Sequence, residues 1–151
     1  MYNIITNYYI LFFLVDSGSQ DVAVNLEILE HYKVTHILNL ASFIENKYPD
    51  KIVYKKIRIL DVPEMHIIPH FEEAFEFINK GMESGCVLVH CNAGISRAAT
   101  IVIAYLMKTR NMTLTQAYGL VKEKRPVISP NSGFQVQLET YEERLFEKSS
   151  L

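Results

Sequence analysis

The chain has 151 residues, of which 49% are hydrophobic and 21% charged, a balance typical of one globular domain and not of a disordered or fibrous chain. Its 15 basic and 17 acidic residues give a formal net charge of -2. No overall basic field therefore favours nucleic acid or an anionic membrane, and we expect neither as a partner. Any anion that this chain binds must be held by local groups.

The two cysteines, Cys86 and Cys91, are too few for a disulfide framework. Five residues of extended strand would place their Cα atoms on the order of 16 Å apart, beyond the reach of a disulfide. We therefore expect two thiols in a reducing compartment, the cytoplasm and also the nucleus.

An apolar run covers residues 8–15 near the N-terminus. It is too short to span a bilayer, which takes about 20 residues. The first lysine or arginine is Lys33, so a secretory leader with a basic start is not favoured. The run is interpreted as a buried edge strand.

The next segments alternate between helix and strand patterns. Apolar residues at helical spacing predict a helix from about Val22 to His31, after the break at residues 17–19. The β-branched segment 34–40 predicts a buried strand. A second strand is predicted over 52–60, where Ile57 and Ile59 alternate with basic residues.

The second half of the chain predicts one strand and four helices. A helix is expected from Pro69 to the glycines at 81 and 85, followed by a central strand over 86–89. A buried helix follows over 99–108, and Thr113 with Gln116 forms a capping box that opens a helix ending near Lys124. Asn131 is expected to cap the last helix.

This order of elements predicts an α/β fold with a central, mainly parallel sheet of four to five strands and helices on both faces. In such sheets ligands bind beyond the carboxyl ends of the strands. The residues that follow the strand over 86–89 are therefore the first candidates for ligand binding and catalysis.

Residues 90–97 have the sequence His-Cys-Asn-Ala-Gly-Ile-Ser-Arg and join that strand to a helix. The N–H groups of such a loop and the positive end of the helix dipole favour a bound oxyanion. The same field favours the thiolate of Cys91, which is the nucleophilic form. Gly94 can adopt the positive φ of a tight loop, and Arg97 can donate two hydrogen bonds to a phosphate.

A cysteine with an arginine six residues later is weak evidence by itself, and a buried structural Cys91 is the simpler alternative. The additional histidine, glycine and serine at fixed positions make the pattern specific. Residues 90–97 resemble the signature loop of the cysteine-based protein phosphatases. The chain from about Gly18 to Leu145 is similar to the small atypical dual-specificity phosphatases, with matching segments in family order at residues 18–23, 35–39, 61, 125–126 and 130–134.

The resemblance implies a catalytic domain over residues 14–148, with residues 1–13 as an uncertain N-terminal segment. It implies hydrolysis of phosphotyrosine and phosphoserine or phosphothreonine in proteins through a phosphocysteine intermediate, with no metal or other cofactor. The expected catalytic residues are Cys91 as nucleophile, Arg97 as phosphate ligand and Asp61 as general acid and base. The expected phosphate-binding residues are Asn92, Ala93, Gly94, Ile95, Ser96 and Arg97, and the expected supporting residues are His90, Ala98 and Asn131. The expected partners are phosphorylated proteins, and the family resemblance suggests a stress-activated kinase pathway.

Two departures from the family pattern leave alternatives open. Ala98 stands where a serine or threonine hydroxyl usually supports the leaving thiolate, and His66 replaces an asparagine that often follows the general acid by five residues. A low-turnover phosphate-binding scaffold, or pseudophosphatase, therefore remains an alternative, as does a phosphatase for a non-protein ester. Glu64 is the rival general acid.

Two further groups of residues are interpreted as solvated surface. His66 and His70, with nearby glutamates, have no third ligand spaced to complete a metal site. Lys122, Lys124 and Arg125 are interpreted as an exposed helix end that complements the helix dipole.

Overall fold

A four-stranded parallel sheet forms the centre of the structure, a computed structural model that describes residues 10–12 and 19–150. The strands are β1 (Ile10–Phe12), β2 (Val34–Asn39), β3 (Val53–Lys56) and β4 (Cys86–His90), in the spatial order β1-β4-β2-β3. Every adjacent pair is parallel. The predicted parallel α/β fold and the edge position of the first strand are confirmed, while residues 1–9 and 13–18 lie outside the described residues.

The strand register aligns the carboxyl ends of three strands. Asn39 of β2 is paired with Lys56 of β3 on one side and with His90 of β4 on the other. The chain segments that follow these residues therefore leave the sheet at one edge. Cys91 begins one of these segments, and it lies at the edge predicted for ligand binding.

Helices cover both faces of the sheet, as predicted. The short helices α1 (Ser19–Ala23) and α2 (Leu26–His31) pack on one face, and the other carries the longer helices α3 (Phe71–Ser84), α4 (Arg97–Arg110), α5 (Leu114–Lys124) and α6 (Ser132–Ser149). Side chains of β4 alternate between the two cores: Cys86 and Leu88 join the α1–α2 core, whereas Val87 and Val89 join the larger one.

Two predicted elements differ from the observed ones. The helix expected over 22–31 is split into α1 and α2, because Asn25 caps α2 by accepting a hydrogen bond from the Ile28 N–H. The strand expected over 52–60 ends at Lys56, although Ile57 and Ile59 are buried as the alternation predicted. The ladder stops because its last bond, from the Ile57 N–H to the Asn39 carbonyl, lies at the end of β2.

The remaining helices agree with the sequence pattern to within a few residues. A 3-10 turn at Ile68–His70 contains Pro69, so α3 begins at Phe71, two residues after the predicted start. The capping box of Thr113 and Gln116 opens α5, and Asn131 caps α6. None of the helices in the described residues is both long and apolar enough to cross a membrane.

Candidate active site

Within the signature segment 90–97, His90 ends β4 and Arg97 begins α4, and residues 91–96 between them are here called the signature loop. Cys91 is 2% exposed and lies among buried residues of the larger core. Gly94 has φ 65°, the left-handed conformation that was predicted for it. This conformation reverses the chain within a short loop, so that the backbone curves from Cys91 back to the first turn of α4.

The outer side of the signature loop is held by the segment that follows α5. Arg125 donates from Nε to the Gly94 carbonyl at 3.0 Å and from its terminal nitrogen to the Ala93 carbonyl at 2.9 Å. The Ser129 N–H donates to the Ile95 carbonyl at 2.9 Å. Three successive carbonyls are thus turned towards this segment.

These carbonyls determine where the N–H groups of the loop point. In a trans peptide the N–H is directed opposite to the carbonyl of the preceding residue. The N–H groups of residues 94, 95 and 96 therefore point into the loop, away from the Arg125 segment. Within the described part of the chain none of the three donates to a protein acceptor. Together they form a concave set of donors suited to an oxyanion.

The first turn of α4 adds to this donor set. Ser96 is the N-cap residue of α4, yet its side chain accepts no bond from the helix N–H groups, and the first turn contains no acidic residue. The partial positive charge at the helix N-terminus is therefore not offset by a local carboxylate. A bound anion would receive it.

Arg97 is buried, and protein carbonyls fix one part of its guanidinium. One terminal nitrogen donates to the Leu40 carbonyl at 3.2 Å and to the Ile59 carbonyl at 3.1 Å. Its Nε is also buried and has no hydrogen-bond partner among the described residues. A buried charged donor without a partner is costly unless an anion satisfies it. The arrangement fits a tetrahedral oxyanion beside Arg97.

Asp61 lies in the segment that follows β3, and hydrogen bonds through Asn131 connect its carboxyl group to the signature loop. Asn131 donates from Nδ2 to Asp61 Oδ1 at 2.9 Å, and the Asn131 N–H donates to Ser96 Oγ at 2.9 Å. Asn131 thus links the Asp61 carboxyl to the signature loop, while its own Oδ1 caps α6 through the Phe134 N–H. Asp61 is exposed, so substrate and water can reach its carboxyl group.

His90 is the last residue of β4, directly before the signature loop, and is 1% exposed. Its Nδ1 is 3.3 Å from the Cys91 carbonyl oxygen, to which a protonated Nδ1 donates. Burial lowers the pKa of His90 to about 4, and the positive charges of Arg97 and Lys56 act in the same direction. His90 is therefore neutral near pH 7 and orders the loop without adding charge.

Ala98 is completely buried in the first turn of α4. Its methyl group has no hydrogen to donate to a sulfur atom. The nearby hydroxyl of Thr100 already donates to the Ser96 carbonyl at 2.8 Å. The missing hydroxyl is thus not replaced by Thr100.

One sequence interpretation was wrong, and it concealed a site residue. Arg125 is not an exposed helix end, because it is 5% exposed and its guanidinium holds two carbonyls of the signature loop. Sequence reasoning also missed Asn39, whose side chain accepts from the Ala41 N–H and so fixes the segment that carries the Leu40 carbonyl. For Arg125, the sequence signal was the Arg-Pro pair at 125–126, which stands in its family position. In the described residues no three His, Cys, Asp or Glu side chains gather into a metal-binding group.

Residues 17–144 match the family described as dual specificity phosphatase, catalytic domain. The chain belongs to this family. Mouse Dual specificity protein phosphatase 19 is 56% identical over 126 residues, which cover 83% of this chain and 57% of that protein. The chain thus spans less than two thirds of the length of this relative. The family resemblance of the signature loop is confirmed.

Solved structures of dual-specificity phosphatases share the fold. Human DUSP28 superimposes with a TM-score of 0.81 at 31% identity, over 87% of this chain and 92% of that one. A human tyrosine phosphatase-like serine/threonine/tyrosine-interacting protein gives a TM-score of 0.75 at 39% identity, over 80% of this chain and 84% of that one. The similarity therefore extends to a protein whose name describes interaction.

Proposed function

We propose that this dual-specificity phosphatase domain, residues 14–148, hydrolyses phosphotyrosine and phosphoserine or phosphothreonine in proteins through a phosphocysteine on Cys91. The observation that carries the proposal is the buried Nε of Arg97, without a partner in the described residues, beside a loop whose N–H groups point inward. Such a donor set stabilises the charge of a transferring phosphoryl group more than that of the ester.

The reaction takes two displacements. The Cys91 thiolate attacks phosphorus and the bond from phosphorus to the ester oxygen breaks, while the protonated Asp61 carboxyl gives its proton to the leaving oxygen. Asp61, now a carboxylate, then takes a proton from water as that water attacks phosphorus. The P–S bond breaks, inorganic phosphate leaves, and the thiolate and the protonated carboxyl are regenerated.

The surface around the site supports a polypeptide substrate. Five of the eight exposed large apolar side chains in the described residues lie on the loops that surround Cys91: Phe43, Leu60, Val62, Ile95 and Val127. An apolar rim suits a protein surface better than it suits a soluble inositol phosphate. We extend the proposal to phosphorylated proteins of a stress-activated kinase pathway as substrates. The buried thiols Cys86 and Cys91 support the cytoplasm or nucleus as its place of action.

The first test compares substrates and variants on this chain. We expect phosphate release from an aryl phosphate and from phosphopeptides, none from Cys91→Ser, and slower release from inositol phosphates at equal concentration. Asp61→Asn should remove the pH limb that depends on the protonated carboxyl. An unchanged profile in that variant would assign the acid role to Glu64 instead.

A phosphate-binding scaffold is the second candidate, and the buried methyl of Ala98 is the observation that favours it. A scaffold would bind a phosphopeptide and release almost no phosphate. Calorimetric binding together with single-turnover phosphate release, measured on the same preparation, separates the two functions.

A further inference from the structure

The segment over residues 61–68, here called the acid loop, makes few hydrogen bonds of its own. It closes one turn, in which the Met65 N–H donates to the Val62 carbonyl at 3.1 Å. His66, which replaces the family's asparagine, is exposed and forms no hydrogen bond within the described part of the chain. The position of Asp61 must therefore be set by contacts from outside the loop.

Helix α6 supplies these contacts: successive residues from its N-terminus contact successive parts of the acid loop. Asn131, at the N-cap, holds the Asp61 carboxyl. Gly133, in the first turn, lies so close to Pro63 that a Cβ on it would overlap the Pro63 carbonyl oxygen. Gln137, one turn further on, reaches the far end of the loop.

Gln137 bonds the acid loop through both ends of its amide. Its Oε1 accepts from the Ile67 N–H at 2.8 Å and, at 3.4 Å, from the Ile68 N–H. Its Nε2 donates to the Met65 carbonyl at 2.9 Å. One side chain thus satisfies backbone groups on both sides of His66. Only an amide offers a donor and an acceptor in this geometry, since a carboxylate lacks the donor and leucine lacks both.

We propose that Gln137 is a positioning residue for the general acid: it fixes the acid loop against α6, so that Asp61 is already positioned beside the signature loop before substrate binds. The proposal rests on the proposed function, because it assigns Gln137 a role only through Asp61. Gln137 replaces the support that His66 does not give. Its effect should be largest for substrates whose leaving oxygen needs a proton.

The test compares two aryl phosphates in Gln137→Leu. With p-nitrophenyl phosphate, whose phenol leaves readily as an anion, we expect kcat/KM to stay within about twofold of the parent value. With phenyl phosphate, which resembles phosphotyrosine, we expect a loss of roughly tenfold or more. The pH limb that depends on protonated Asp61 should weaken in parallel. Gln137→Glu keeps the acceptor and should fall between parent and leucine variant, and it decides the question if Gln137→Leu does not fold.

Gln135→Leu is the matched control on the same helix. The Gln135 amide donates to the Pro130 carbonyl and not to the acid loop, so its removal should leave the ratio of the two substrates unchanged. The double variant Asp61→Asn with Gln137→Leu should lose no more than Asp61→Asn alone, because the two residues act as one unit.

The outcomes separate this proposal from the proposed function. Equal losses on both substrates in Gln137→Leu, or full additivity in the double variant, would show a structural role and overturn the proposal. If Asp61→Asn itself lowers both substrates equally, the general-acid assignment fails, and the role of Gln137 fails with it. A selective loss in Asp61→Asn without one in either Gln137 variant overturns the Gln137 proposal alone.

Discussion

At the scale of single residues, the buried methyl of Ala98 should, in the proposed mechanism, slow the second half of the reaction more than the first. The sulfur leaves as a thiolate only when phosphocysteine is hydrolysed, and a methyl group cannot donate a hydrogen bond to it. The lost stabilisation is about 1 to 3 kcal/mol. Phosphocysteine should therefore accumulate during turnover.

Ala98→Ser should raise kcat by roughly tenfold or more and leave kcat/KM nearly unchanged, because kcat/KM reports steps only through the first irreversible one. Stopped-flow measurement with an activated aryl phosphate should show a phenol burst near one per site in the parent and a smaller burst in the variant. Ala104→Ser, which places a hydroxyl at another buried position of α4, is the control. If the parent shows no burst and Ala98→Ser leaves kcat unchanged, another donor already supports the thiolate, and Ser96 and Asn131 are the residues to test.

The buried imidazole of His90 makes the fold sensitive to acid. Its pKa is about 4 in the folded chain and about 6.5 in an unfolded one, so below pH 6.5 the unfolded state binds more protons. The contribution of the neutral His90 side chain to the free energy of unfolding is fully present above pH 6.5 and is lost as the pH falls towards 4. Between pH 7 and pH 5 the loss from this residue is about 2 kcal/mol.

Urea unfolding of the parent and His90→Gln at both pH values measures this contribution. The variant should lose about 2 kcal/mol less than the parent between pH 7 and pH 5. Replacement of the exposed His31 by glutamine is the control for removing a histidine. Equal losses in His90→Gln and the parent would mean that His90 takes up its proton while the chain is folded.

At the scale of elements, the segment after α5 orients the proposed phosphate-binding loop from its outer side. Arg125 and Ser129 together hold three successive carbonyls. The direction of the loop N–H groups follows from these bonds. Loosening this segment should therefore weaken phosphate binding itself, without regard to the leaving group.

Arg125→Lys keeps the charge but loses the planar fork that reaches two carbonyls. We expect the inhibition constant of inorganic phosphate to rise roughly tenfold, with similar losses of kcat/KM for p-nitrophenyl and phenyl phosphate. Lys124→Gln, at the neighbouring half-exposed position, should change neither quantity. A loss confined to phenyl phosphate would place Arg125 with the acid loop instead.

At the scale of the whole molecule, the sheet separates the two thiols. Cys86 faces the core under α1 and α2, and Cys91 belongs to the larger core on the opposite face. Hydrogen peroxide should oxidise the Cys91 thiolate to a sulfenic acid and release hydroxide, and Cys86 cannot attack the product. Inactivation should therefore be reversed by dithiothreitol in the parent and in Cys86→Ser alike. Mass spectrometry that finds a Cys86–Cys91 disulfide in folded protein would contradict this geometry.

The sequence alone determined the features that depend on near neighbours. The strand, loop and helix around Cys91 and Arg97 lie within one continuous segment, and their periodicity and glycine mark them without reference to the rest of the chain. The caps at Thr113 and Asn131 were predictable for the same reason, because a cap joins residues three apart. The parallel α/β class followed from the alternation of such local patterns.

Only the tertiary structure decided which distant groups complete the site. The carbonyls that hold Arg97 come from Leu40 and Ile59, 57 and 38 residues away, and a backbone carbonyl is the same in every residue type. Gln137 meets Ile67 across 70 residues, and Arg125 meets Ala93 across 32. Polar side chains near a helix end are usually exposed, so the sequence pattern places Arg125 at the surface. In the folded chain the loop carbonyls lie next to Arg125, and its side chain is buried. Local pattern thus predicted the candidate reacting groups, whereas long-range packing decided the hydrogen bonds that orient them, because those bonds exist only after the strands and helices have assembled.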